Sequence, residues 1–341
     1  MSKVTDLNDR IIYFDFIRII SHFALVLRHM VFIDINDSYG GWLVSNFYRS
    51  ITPWIIPLLL MLSGAIFLDT NRNITTKSLY LKNIKRLLVY FFVWSLIYTF
   101  LRYDFKEEFT IDNLIKFYLN GYFHLWYIPY AIAMYMLTPL LRKVSDNKSK
   151  CIYICVILTF YCFLYYPIRN CFIEFPVFLE GGNFGFISFY LLMFFIGNLL
   201  NKYELSKKWR IFFYISGILS TFMIYFGTHF LTIFSGEINE ILQSCDSPFS
   251  MIQGIALFIF IKEKCKSVVI NDIKYNVLSF FSKASFGVYM IHPLIIDFFG
   301  NPCSDIPSVY FAPLICIGIS IFCYFLSYFL KRIPIVGKYL V

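Results

Sequence analysis

Residues 11–33 read IIYFDFIRIISHFALVLRHMVFI. The stretch has the length and apolar content of a membrane span, yet it carries Asp15, Arg18, His22, Arg28 and His29. An ionisable group in hydrocarbon is costly, so five of them in one segment point to a functional interior rather than to lipid contact. At about 100° per residue, Arg18, His22 and His29 fall within roughly 40° of one another, and Asp15 lies roughly 60° from Arg18 on the same side. Arg18 and His29 are eleven residues apart, or about 16 Å along a helix axis, roughly half the hydrocarbon thickness. A polar stripe facing a bundle interior therefore crosses much of the membrane.

The rest of the chain agrees with this reading. Of 341 residues, 59% are hydrophobic and only 15% charged, with a mean hydropathy of +0.66, too little polar surface to cover a soluble globule. The expected class is an all-α integral membrane protein with about ten transmembrane helices. Their approximate ranges are 11–33, 51–69, 87–101, 122–141, 151–168, 185–200, 211–234, 247–261, 278–298 and 310–330. The N-terminus and the connections at 70–86, 142–150, 201–210, 262–277 and 331–341 hold 22 Lys and Arg, whereas the five alternate connections hold five. Basic connections stay cytoplasmic, so both termini are expected inside. The net charge of +9 is thus mainly a topology signal. It gives no support for nucleic-acid binding, and anionic headgroups are its ordinary partner.

The first ten residues lead straight into a charged span without a small-residue cleavage pattern, so no signal peptide is expected and the first span is retained. Nine cysteines lack metal-type spacing and mostly occupy spans, which reads as small apolar packing, and no metal is expected. Cys171, Cys245 and Cys303 fall in or beside outer connections. A disulfide among them has no support in the sequence. No composition break, linker or repeat divides the chain, so residues 1–341 are expected to form a single polytopic domain. The longest outer connections, 34–50, 102–121, 169–184 and 235–248, read as polar cover over an outward-facing cavity.

His29, His124, His229 and His292 map to the outer halves of their spans, and His22 lies near mid-depth. Imidazole exchanges a proton near neutral pH, so histidines at one depth suggest acid/base work on an outward-facing site. The competing reading is that each simply hydrogen-bonds a neighbouring helix. In KSLYLKNIKR, residues 77–86, Lys82 with Lys85 or Arg86 has a helical spacing suited to a polyanion at the cytoplasmic interface, or equally to positive-inside anchoring. Ser63 and Gly64 read as a close helix contact, and Pro53 and Pro57 as sites that open backbone groups. Trp126 and Tyr127, in HLWYIP, suit an interfacial aromatic belt or stacking on a sugar ring.

Taken together, these pieces resemble the membrane-bound acyltransferase family 3. The span opening YFDFIRIISHFALVLRHM is similar to that family's first span, with Arg and His ten intervening residues apart. PLLLMLSGAIFL is similar to its apolar run ending in Ser-Gly, KNIKR to its basic cluster before the third span, HLWYI to its His-Leu-Trp element, and SFGVYMIHPL to its late Ser-x-Gly-x-Tyr-x-x-His-Pro element. In order, they cover residues 11–298. The resemblance implies transfer of an acyl group, usually acetyl, from acetyl-CoA or another acyl-CoA to a hydroxyl or amino group of a carbohydrate at the outer face, most like the surface polysaccharide O-acyltransferases. It implies that Arg18 and His29 are the essential pair and that Lys85 and Arg86, with Lys82 beside them, meet the CoA phosphates. Lys82 and Lys85 stand where some members carry Arg, replacing bidentate forks by point charges.

On this basis His29 is expected to act as general base or transient nucleophile, Arg18 to orient the chain or stabilise carbonyl charge, and Asp15 to hold Arg18. The head of acyl-CoA would rest on the basic cluster, with its pantetheine arm along the stripe. His124, Trp126 and His292 are candidates for binding a surface or lipid-linked saccharide acceptor. The expected location is the cell membrane, multi-pass, of the bacterial cytoplasmic kind. Two readings compete. One is a transporter or flippase for a glycan intermediate, whose path would also be lined by polar residues. The other is a non-catalytic membrane subunit in which the stripe is a buried ion-pair network.

Overall fold

The computed structural model describes residues 11–32, 37–102, 110–171, 184–268, 271–300, 303, 309–334 and 337, with side chains described throughout except at 165–171 and 184–186. Among the described residues there are helices and no strands. The charged stretch forms α1, Ile12–Met30, with no Gly or Pro to interrupt it. It ends where the Val31 backbone N–H still reaches Leu27 O while Val31 turns extended. Each of the ten segments read as spans is helical. After α1 these are α3 (Ile55–Phe67), α4 (Lys85–Arg102), α6 (Tyr127–Ser145), α7 (Lys148–Cys171), α8 (Phe184–Lys202), α9 (Lys207–Ser235), α10 (Pro248–Cys265), α11 (Asp272–Phe298) and α12 (Ala312–Arg332).

Five helical segments among the described residues are long and apolar enough to cross a membrane: Tyr39–Phe67, Thr76–Arg102, Lys207–Ser235, Ile241–Cys265 and Ala312–Arg332. Ile187–Lys202 is a shorter apolar helix. Segments such as α1 fall outside this set because of the charges they carry, Asp15, Arg18 and Arg28 in its case. Residues 1–10 and 338–341, whose side of the membrane the charge pattern assigns, lie outside the described residues, as does most of the 169–184 connection.

Two expected loops are in part helical. Tyr39–Ser50 forms α2, started by Ser38, whose Oγ accepts from Gly41 N at 3.0 Å, and Ile111–Asn120 forms α5, started in the same way by Thr110 on Asn113 N. Both begin with a side-chain oxygen satisfying an orphan N–H of the first turn. Their polar content hid them. On α5, Ile111, Ile115 and Leu119 repeat every four residues and are all exposed, while Asp112 and Lys116 pair at 2.6 Å, as on an interfacial helix.

Two compact units make up the fold. The first contains residues 1–62, 205–285 and 294–324. Here α9 packs along α10, with α2 against α9 and α1 against α10 and α2. Gly217 sets the α9–α10 approach, since a Cβ at that position would lie 2.6 Å from Ala256 Cβ. The second contains residues 63–204, 286–293 and 325–341. In it α8 packs on α7 and α6, and α4 on α5 and α6. Gly64 of α3 lies directly on the backbone of α8, where an added Cβ would sit 1.9 Å from Phe194 O. The turn after α3 is clasped by Arg142, which donates to Phe67 O at 2.8 Å, Ile74 O at 2.7 Å and Asp69 O at 3.1 Å. Such small-residue contacts and interhelical hydrogen bonds hold helices together where lipid removes the hydrophobic contrast.

Candidate functional site

In the first unit, α1 places Asp15 and Arg18 one turn apart, and the helical spacing brings them together. Arg18 Nη1 donates to Asp15 Oδ1 at 3.0 Å, with Asp15 almost fully buried and the Arg18 side chain 32% exposed. Ser282 of α11 completes the cluster: its hydroxyl donates to Asp15 Oδ1 and accepts from Arg18 Nη1 at 3.4 Å. Ser285 Oγ in turn donates to Ser282 O at 2.8 Å. A carboxylate that is buried, ion-paired and hydrogen-bonded holds its guanidinium partner in one geometry, because loss of either contact would strand a charge. Part of the Arg18 guanidinium stays accessible, so it can still meet a polarised carbonyl or an anion.

His22, buried one turn further on, donates Nδ1–H to Arg18 O, so it caps the α1 backbone within the stripe. His29 lies partly exposed in the last turn of the same helix. Arg28, beside it, is turned to another task. Its Nη1 donates to Arg49 O at 2.9 Å and its Nη2 to Gln243 O at 3.0 Å. Arg49 bonds Gln243 Oε1 at 3.1 Å and pairs with Glu240, and Gln243 Nε2 reaches Asn46 Oδ1 at 2.7 Å. This network ties α1, α2 and the 238–247 connection together. Sequence reading noted Arg28 and missed Arg49, Glu240 and Gln243, which sit in segments taken as polar cover. His229 is in the same unit, its ring 5.7 Å from that of Trp42 and 6.1 Å from that of Tyr39.

In the second unit, the structure brings His124 and His292 together, with ring centroids 5.3 Å apart and both residues buried. Tyr289 OH donates to His124 O, and Tyr98 OH donates to Met290 O at 2.9 Å, with Tyr98 stacked on Tyr122 at 4.4 Å. His292 Nδ1 faces Val288 O at 3.1 Å and Tyr289 O at 2.9 Å, and carbonyls only accept, so this nitrogen carries the proton and Nε2 is the basic one. Trp126 is placed elsewhere in the unit, its ring 6.2 Å from that of Tyr130, which stacks on Tyr190 at 4.8 Å.

The basic cluster follows an irregular entry. Thr75 caps a short turn, and Leu79–Ile84 forms a π-helical stretch before α4 begins at Lys85. Buried Leu79 and Ile84 anchor it, leaving Lys82, Lys85 and Arg86 exposed. None of the three makes an ion pair among the described residues. Three accessible cations with no competing carboxylate fit the phosphates of a nucleotide head, and single-turn π insertions often mark functional sites. Among the described residues, Cys245 is a free thiol, and the side chain of Cys171 lies outside them.

Comparison with known proteins places this geometry in context. Residues 11–332 match the model of a family described as an acyltransferase domain. Among curated proteins, the chain is similar to the "probable poly-beta-1,6-N-acetyl-D-glucosamine export protein" of Staphylococcus aureus strain Mu50, at 22% identity over 293 residues, 82% of this chain and 78% of that one. The protein of the same name in strain MSSA476 is 21% identical over the same shares. No solved structure matches the chain. The match spans α1 through α12, including every candidate residue named above, and the chain belongs to the acyltransferase family 3.

Proposed function

We propose that this protein transfers an acyl group, acetyl first among the candidates, from cytoplasmic acyl-CoA to a hydroxyl of a cell-surface or lipid-linked carbohydrate at the outer membrane face. The observation that carries the reading is the buried Asp15–Ser282 hold on a partly accessible Arg18, on the helix that also presents His29, in a chain matched to the family over residues 11–332. In this reading ten spans cross the bacterial cytoplasmic membrane with both termini inside. Lys82, Lys85 and Arg86 take the CoA phosphates.

The chemistry asked of the residues is modest. His29 accepts the proton of the acceptor hydroxyl, whose oxygen attacks the thioester carbonyl. Arg18, about 16 Å away along the same helix, orients the acyl-CoA chain; the C–S bond then breaks, the ester forms, and the CoA sulfur leaves as the thiol once it takes up the proton. Asp15 and Ser282 position Arg18. His124 and His292 are assigned to the acceptor. Carbohydrate as the acceptor class draws support from the printed names of the relatives, which concern a polysaccharide.

Those names also say export, which favours a second reading, passage of a glycan across the membrane. The test is transfer of radiolabelled acetyl from acetyl-CoA supplied at the cytoplasmic side of oriented membranes. Label on outer-face glycan in wild type, lost in His29→Ala, is the expected result. No label in either, with glycan crossing vesicles that lack acyl-CoA, would replace transfer by export.

A further inference from the structure

A groove of about 560 Å³ runs along the α9–α10 pair of the first unit, reaching Trp54 and Gln253 at one end and Glu263 and Lys264 at the other. From Gln253 to Lys264 is eleven residues of α10, about 16 Å, close to half the hydrocarbon thickness and so the depth of one lipid chain. Ile218, Leu257 and Phe260 give it an apolar surface, and Ile218 and Phe260 are exposed. Its polar end is built rather than incidental. Gln253 is 5% exposed, and its Nε2 donates to Ser50 O at 3.0 Å and Thr221 Oγ1 at 2.8 Å. A backbone carbonyl can only accept, so the amide orientation is fixed and Oε1 is the remaining acceptor, buried and without a hydrogen-bond partner.

An orphan buried acceptor in a membrane-facing groove calls for a ligand that brings a donor. The charges of the groove are confined to its far end, where Glu263 is already paired with Arg210 and Lys266. Around Gln253 the lining is neutral. A phosphodiester headgroup, anionic and rich in acceptors, is mismatched to that end twice over, whereas a sugar hydroxyl is neutral and donates. Trp54, whose Nε1 is occupied by Ile51 O, has a ring face suited to the C–H surface of a sugar.

We propose that this groove docks a neutral glycolipid, with a sugar hydroxyl donating to Gln253 Oε1, the sugar ring on Trp54 and the hydrocarbon chain along Ile218, Leu257 and Phe260. The proposal rests on the carbohydrate-acceptor reading above and makes the acceptor a lipid-borne one. Two probes with the same photoreactive tail separate the sources, a monoglucosyl diacylglycerol and a phosphatidylcholine. Expected is labelling of α9 and α10 peptides by the glucosyl probe, competed by excess unlabelled glucolipid, and at least fivefold weaker labelling by phosphatidylcholine.

Ile218→Trp, a change at an exposed groove position that leaves the Gln253 hydrogen bonds in place, should lower glucosyl labelling at least fivefold, and Gln253→Met should do the same. Equal labelling by both probes, or Ile218→Trp labelled like wild type, would overturn the proposal. His29→Ala keeps the two readings apart, because it should abolish acyl transfer and retain labelling. Acyl transfer to free oligosaccharide with no groove labelling would remove the glycolipid and leave the acyltransferase. Labelling with no transfer in any variant would do the reverse.

Discussion

At the scale of single residues, the candidate site depends on how firmly Arg18 is held. Ser282→Ala removes one hydrogen bond to a buried carboxylate, worth about 1.5–3 kcal/mol, so kcat for acyl transfer should fall roughly tenfold with KM for acyl-CoA little changed. Arg18→Lys keeps the charge and loses the planar fork, and should cost on the order of 10²-fold in kcat in the same assay. Asp15, Arg18 and His29 were legible in the sequence because charge inside an apolar span is conspicuous. Ser282 was not, since a serine in a helix of mixed polarity gives no signal until its partner across the fold is known. The one available hint was its place one turn before Ser285, on the same helix face. Arg49, Glu240 and Gln243 escaped for a different reason: in a polar connection, polar residues are unremarked.

At the scale of elements, the ten hydrophobic runs all fall on helices, five helical segments among the described residues being long and apolar enough to cross a membrane, and the errors lie at caps and turns. Periodicity could not see α2 and α5 inside outer connections, because short capped helices carry their signal in one Ser or Thr and an i, i+4 pattern. The Gly64 contact was readable from Ser63-Gly64, although the partner, Phe194, was not. Gly64→Ala forces a methyl into a backbone carbonyl and should destabilise by about 1–3 kcal/mol, read as a lowered Tm in detergent. The π-helical entry to α4 was likewise invisible, yet it sets where the cations point. Lys85→Ala with Arg86→Ala should raise KM for acyl-CoA about tenfold or more while kcat is kept, and the loss should be mimicked in wild type by high salt.

At the scale of the whole molecule, stability should carry an acid limit traceable to one carboxylate. Asp146, at the end of α6, accepts from the Thr70 hydroxyl and pairs with Lys202 at 3.2 Å. The Thr70 hydrogen bond first, and the Lys202 ammonium second, hold its carboxyl below the ordinary value of 3.8. A carboxyl depressed in the folded state stabilises it above the unfolded value, and that contribution is lost as pH falls through the folded one. The fold should therefore lose stability below about pH 4. Asp146→Asn should flatten that limb of a Tm-against-pH curve by lowering Tm at neutral pH as much as wild type loses on acidification, and both changes are small, since the group is largely solvent-screened.

The Arg142 clasp bears on how the chain is made. The carbonyls it gathers at Phe67, Asp69 and Ile74 precede it by about seventy residues, so the ribosome delivers the turn long before the side chain that closes it. The α3–α4 hairpin thus forms with its turn unfastened, and it can lock only after residue 142 has left the ribosome. Nascent chains stopped with Arg142 still inside the ribosome should remain open to protease at residues 68–74, and chains long enough to have released it should not.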